Sequence, residues 1–249
     1  MKHFILLFKR EMNLHLRASL FFFACTGCIP PIYFFFFADT PSQYTALPFE
    51  TMFTSSPLPV ILTLLAVLSY VWSVRSVLHD LAHCRECFLS LPCRRPLWFF
   101  AKTVSVLVLM LWLWAGQLCG ILLSYGVFVR RAIPADGIYP VANGLVIGIC
   151  RSRLLHLLVP LGMPCAVSFL LLFGGVCLSV VPLAFSLSRR RLWDMLPLFL
   201  SFLMWAFALY TAGAQNIGSS AVMLSHILLF LSLILLTLHS LYRLNRSDL

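Results

Sequence analysis

Six long apolar runs constrain the fold of this chain more than any other feature. They cover residues 19–37, 58–78, 99–129, 161–187, 195–213 and 219–241. A helix that crosses the hydrocarbon core of a bilayer needs about 20 consecutive apolar residues. Only 10% of the residues are charged, whereas an average soluble domain has about 25%. The sequence therefore predicts an all-α membrane protein with six transmembrane helices.

The segments between the runs are too short to bury a core of their own, so we expect one membrane domain over residues 1–249. Residues 1–17 place most of their cations on one arc of a helix, although Glu11 and His15 interrupt the apolar arc. This pattern predicts an N-terminal interfacial helix, and the alternative is an extension of the first span. Pro30 and Pro31 predict a kink or break near the outer end of that span.

Two outer segments differ in character. Residues 38–57 contain no Lys or Arg and are predicted to form a loop. Residues 141–150 form an apolar decapeptide that is too short to cross a bilayer. We expect a short outer segment there, either re-entrant or interfacial.

The positive charges fix the orientation of the predicted spans. With the N-terminus inside, 14 of the 18 Lys and Arg residues lie on the cytoplasmic side. Cytoplasmic loops of membrane proteins carry such an excess, so we expect both termini in the cytoplasm. The net charge of +10 is then a topology signal that also attracts anionic lipid, and no nucleic acid is expected as a partner.

Several kinds of chemistry are missing from the sequence. No Asp, Glu, Lys or Arg lies in the middle of an apolar run, which argues against an ion-coupled pump. The three lysines, Lys2, Lys9 and Lys102, do not follow a glycine, so there is no Walker A loop. We interpret His226, inside the sixth run, as a partner in a helix–helix hydrogen bond. Cys84 and Cys87 lack a second ligand pair, and no metal site or disulfide is expected.

The cytoplasmic segment at residues 79–98 combines charges with apolar residues. Glu86 lies six residues before Pro92, and Lys102 lies ten residues after it. With Leu89 and Leu91 between them, this pattern resembles the ABC-2 type permease family, the membrane subunits of a class of ATP-binding cassette transporters. In that family the loop between the second and third spans reads Gly-Thr-Leu-Glu, leucines, Leu-Pro, a polar-Arg pair and a Lys that opens the third span. The sequence departs from it at residues 83–84, where His-Cys replaces Gly-Thr.

The resemblance implies a coupling helix that docks on a separate cytoplasmic ATPase subunit. The residues expected to make this contact are Glu86, Phe88, Leu89, Leu91, Pro92, Arg94 and Arg95. ATP and Mg²⁺ would be bound by the ATPase, so this chain would hold no cofactor and would not itself be an enzyme. A second permease, identical or a sister chain, would complete the complex.

The expected function is export of a hydrophobic or amphipathic substrate, such as an antimicrobial peptide, along a path lined by the first, second and fifth spans. Two alternatives come from other classes of protein. The first is a membrane enzyme that uses cysteines or His156 and His226. The second is a membrane scaffold or channel that does not carry out ATP-driven transport, although no polar stripe runs along any span.

Overall fold

The structure, a computed structural model, describes residues 2–37, 48–83, 95–132, 144–152, 155, 158–159, 163–189, 196–213 and 219–246. Every regular element in these ranges is an α-helix, which confirms the predicted all-α class for this part of the chain. The helices are α1 (Lys2–Phe36), α2 (Phe49–Ser55), α3 (Leu58–His83), α4 (Arg95–Ala132), α5 (Gly144–Arg151), α6 (Met163–Arg189), α7 (Leu196–Gly213) and α8 (Ser219–Arg246).

Four of these helices are long and apolar enough to cross a membrane. The qualifying segments are Ile5–Phe36 of α1, Leu58–Ala82 of α3, Leu97–Arg131 of α4 and Ala166–Ser188 of α6. The protein is therefore a multi-pass membrane protein. Within the described residues, α7 and α8 contain shorter apolar segments, Pro197–Ala206 and Leu224–His239. The fifth and sixth crossings remain predictions.

Helix α1 continues without interruption from Lys2 to Phe36. It has no end at residue 17, and both the interfacial position of its first turns and the alternative of an extended first span stay predictions. The helix also passes through Pro30 and Pro31 without breaking. Pro30 has no N–H for the carbonyl oxygen of Thr26, and Gly120 of α4 packs against that oxygen.

Two short helices, α2 and α5, pack against each other. Sequence analysis predicted a loop where α2 lies, because seven residues are too few to show a helical period. The decapeptide forms α5, and its re-entrant position stays a prediction. Both helices join one apolar cluster of buried residues, which consists of Phe34, Phe49, Phe53, Leu58, Leu62, Ile121, Ile149 and Leu155.

The chain divides into two compact units, and several helices contribute to both. The first unit is Met1–Leu16, Ser69–Met110 and Gly162–Leu249, and the second is Arg17–Leu68 and Leu111–Leu161. In the second unit, α1 and α4 approach closely at small residues. A Cβ on Gly116 would lie 2.8 Å from the carbonyl oxygen of Phe23. Glycines four residues apart, Gly116 and Gly120, let the two backbones come together as in other membrane helix pairs.

Helices α6, α7 and α8 pack together in the first unit. The indole Nε1 of Trp205 on α7 donates a hydrogen bond of 3.0 Å to Oγ of Ser232 on α8. Oγ of Ser168 on α6 and Nε2 of His226 on α8 share a hydrogen bond of 2.7 Å. The predicted helix–helix hydrogen bond of His226 is thus confirmed.

Candidate functional site: a buried charge cluster on three helices

Three charged side chains from three helices meet inside the first unit. The ammonium Nζ of Lys102 on α4 donates hydrogen bonds to Oε2 of Glu11 on α1 and to Oδ2 of Asp80 on α3. Lys102 is fully buried, and Glu11 and Asp80 are only 2% and 7% exposed. We call these three residues the charge cluster.

Each member of the charge cluster lies near an end of its helix. Asp80 lies three residues before α3 ends at His83, and Lys102 lies seven residues after α4 begins at Arg95. Glu11 lies in the third turn of α1. The cluster therefore joins the ends of α3 and α4 that flank residues 84–94, and it ties both ends to α1.

The burial of these charges makes their mutual pairing important. Removing a charge from water costs several kcal/mol, and only a close partner of opposite sign compensates for it. An ammonium group has three N–H donors and can serve two carboxylates at once. One cation and two carboxylates nevertheless leave a formal charge of −1 inside the cluster. Loss of Lys102 would leave two buried carboxylates with no cation between them.

A buried histidine lies beside the charge cluster. His15 is one helical turn beyond Glu11 on α1, and it is 2% exposed. Within the described part of the chain, neither ring nitrogen of His15 has a hydrogen-bond partner, and the hydroxyl of Thr103 has none either. Polar atoms without partners are rare in protein interiors and often mark functional positions.

A groove opens next to the charge cluster, between α1 and α3. It has a volume of about 320 Å³ and is lined by Arg10, Leu14, Trp72, Arg75, Ser76, His79 and Asp80. The α3 residues recur at intervals of three and four, so they share one face of that helix. We call this feature the α1–α3 groove. Asp80 belongs to both the groove and the charge cluster.

Most residues that the sequence predicted for ATPase coupling lie outside the described residues. These are Glu86, Phe88, Leu89, Leu91, Pro92 and Arg94. Arg95 is the first residue of α4. The structure thus places the two helix ends that flank the segment. The coupling role of these residues stays a prediction.

The charge cluster was missed by sequence analysis, although one sign of it was present. Glu11 and His15 interrupt the apolar arc of α1, four residues apart on one face. Lys102 was expected at the cytoplasmic start of the third span, whereas the structure buries it. A buried carboxylate on an apolar helix face, such as that of Glu11, requires a partner on another helix. Nothing in the local pattern identified Lys102 as that partner.

Among the described residues, no group of three His, Cys, Asp or Glu side chains is placed to hold a metal ion. Cys84, Cys87 and Cys93 lie outside the described residues. No protein-family model, curated protein or solved structure matches this chain. A functional assignment therefore depends on the chain's own residues.

Proposed function

We propose that this chain is the membrane subunit of an ABC-2 type exporter that is powered by a separate ATPase subunit. The charge cluster is the observation that carries this proposal. It links α1 to the two helix ends from which the predicted coupling segment emerges. A segment that receives force from an ATPase needs a stiff connection to the spans, and buried ion pairs provide one.

The proposed mechanism follows from where the charges lie. ATP binding closes the ATPase subunits, and the coupling segment moves with the subunit on which it docks. Asp80 precedes that segment in the sequence and Lys102 follows it, so a displacement of the segment reaches both α3 and α4. Because Glu11 shares the same ammonium group, α1 moves with them.

The proposed substrate is hydrophobic or amphipathic, and an antimicrobial peptide is the first example to test. Large apolar side chains are exposed on the helices proposed to line the path between two permeases. They include Phe21 and Phe36 of α1, Val67 and Val71 of α3, and Phe199 and Leu203 of α7. Apolar side chains of this kind bind lipophilic groups and offer nothing to a small ion. The proposal places the complex in a bacterial cytoplasmic membrane with both termini inside.

Copurification tests this proposal. The tagged chain is extracted from its native membrane in mild detergent, and the bound proteins and ATP hydrolysis are measured. We expect a stoichiometric soluble ATPase that is lost when Leu91→Asp places a charge among the apolar anchors. Ser90→Asp is the matched control, because a helical spacing would put Ser90 on the side opposite to Phe88 and Leu91.

The results for wild type and the two variants decide whether the chain docks on an ATPase through its apolar anchors. Loss of the ATPase with Leu91→Asp and its retention with Ser90→Asp support docking through the apolar anchors. A wild-type chain that arrives alone, with no ATP hydrolysis, contradicts the proposal. Equal loss in both variants contradicts the assignment of Leu91 as an anchor.

A further inference from the structure

We propose that the α1–α3 groove binds an anionic phospholipid, with its phosphate at Arg10 and Arg75 and an acyl chain against Leu14 and Trp72. The volume of about 320 Å³ falls at the lower end of the range for ligand pockets, roughly 300–1,000 Å³. The groove shares His79 and Asp80 with the predicted coupling segment at residues 79–98, but the inference does not depend on an ATPase partner.

Charge complementarity favours an anion in this groove. Arg10 and Arg75 contribute two guanidinium groups to the lining, and His79 contributes an imidazole. Asp80 is the acidic residue of the lining, and its Oδ2 is hydrogen-bonded to the ammonium group of Lys102. The charge cluster carries a formal charge of −1, and the two guanidinium groups add +2, so the groove and the cluster together keep a net charge of +1. Guanidinium groups bind phosphate oxygens in bidentate geometry, which makes phosphate a suitable headgroup.

The directions of the helices follow from contacts along α4. Asp80 bonds to Lys102, and Ser69 lies against Met110 at 3.6 Å, so α3 and α4 run antiparallel. Within the second unit, Phe23 of α1 packs against Gly116 of α4, and Arg131, later in α4, donates a hydrogen bond to the carbonyl oxygen of Phe34, later in α1. Helix α1 therefore runs in the same direction as α4, and antiparallel to α3.

This antiparallel arrangement gives the groove a polarity. On α1, the apolar Leu14 lies one turn closer to the middle of the helix than Arg10. On α3, Trp72 lies one turn closer to the middle than Arg75 and Ser76. Both helices thus place their cation at the end of the groove nearer the helix terminus and their apolar residue nearer the helix middle. A phospholipid at a membrane surface has the same order, with phosphate outside and acyl chain inside.

Exposure distinguishes a lipid from a free phosphate ion. Leu14 and Trp72 are 52% and 46% exposed on a helix face next to the cations. An inorganic anion would leave both apolar side chains uncovered, whereas an acyl chain covers them. The apolar half of the groove is therefore the reason for assigning a lipid.

Quenching of tryptophan fluorescence by brominated lipid tests the site. The full chain is reconstituted in phosphatidylcholine vesicles that contain a minor fraction of phosphatidylglycerol, and either lipid carries the brominated acyl chain. The difference between wild type and Trp72→Phe isolates the contribution of Trp72. We expect brominated phosphatidylglycerol to quench Trp72 at a lower membrane fraction than brominated phosphatidylcholine. Arg75→Gln should reduce this preference about fivefold, the factor that corresponds to about 1 kcal/mol per basic residue at an anionic surface.

Arg17→Gln is the matched control, because Arg17 is an exposed cation of α1 that does not line the groove. Size exclusion shows whether each variant is folded. If Arg75→Gln does not fold, Arg10→Gln replaces it, with the same expected fivefold loss of preference. Equal quenching by the two lipids overturns the proposal. So does an equal effect of Arg17→Gln and the groove variants. Abolition of the phosphatidylglycerol preference by inorganic phosphate assigns the site to the free anion and also overturns it.

Discussion

Replacing Lys102 with methionine should destabilise the protein more than any other single substitution in the charge cluster. Methionine has a similar length and removes the charge. The carboxylates of Glu11 and Asp80, which both bond to the same ammonium group, would then lie buried without a cation. Removing one partner from a buried ion pair costs about 3–5 kcal/mol, a large share of a typical folding free energy of about 5–15 kcal/mol.

The expected change in melting temperature follows from this estimate. A loss of 1 kcal/mol lowers Tm by about 2–4 °C in a protein of 150–250 residues, so Lys102→Met should lower it by about 10 °C. The measurement is heating of the detergent-solubilised protein, followed by size exclusion of what remains folded. Arg17→Met is the control, because it removes a cation whose side chain is exposed. We expect its Tm to remain close to that of the wild type.

A graded series tests the electrostatic explanation itself. Glu11→Gln leaves one cation and one carboxylate in balance, so its destabilisation should be smaller, about 1–2 kcal/mol. The triple variant Glu11→Gln, Asp80→Asn, Lys102→Met has no charges left and should recover much of the stability lost in Lys102→Met. If Lys102→Met melts at the same temperature as Arg17→Met, the reasoning is refuted. A triple variant no more stable than Lys102→Met would show that packing, and not charge, sets the cost.

Two further substitutions test the packing of α1 on α4 in the second unit. Gly116→Ala should destabilise the protein by about 1–3 kcal/mol, because its Cβ would lie 2.8 Å from the carbonyl oxygen of Phe23. Gly126→Ala is the control, since a Cβ there would have no neighbour within 4 Å in the described residues. Melting curves compare the two variants, and equal melting temperatures contradict the close approach of α1 and α4. Arg131→Met should lower the free energy of unfolding by about 1–2 kcal/mol, because the guanidinium donates a 2.8 Å hydrogen bond to the carbonyl oxygen of Phe34 near the end of α1. Hydrogen exchange at the last turn of α1 should then become faster. Unchanged exchange would show that Arg131 does not hold this helix end.

Several features of the fold were predictable because they depend on local sequence. A run of about 20 apolar residues must form a helix in a membrane, since no water is present to satisfy its backbone groups. The helices α1, α3, α4 and α6 follow from this rule. The short helix α2 does not, because its seven residues are held by packing of Phe49 and Phe53 in the apolar cluster that they share with α5. The close approach of Gly120 on α4 to the carbonyl oxygen that Pro30 leaves without an N–H was not predictable from local sequence either.

The sequence by itself determined the class of this protein, since the cost of transferring apolar and charged groups into lipid adds up residue by residue along the chain. It also contained the polar interruption at Glu11 and His15, without a partner to explain it. Only the tertiary structure decided that partner. Glu11 lies 91 residues from Lys102 in the sequence, and Asp80 lies 22 residues from it. A charge is stable in a protein interior only beside its counter-charge, and which side chains become neighbours is set by how whole helices pack.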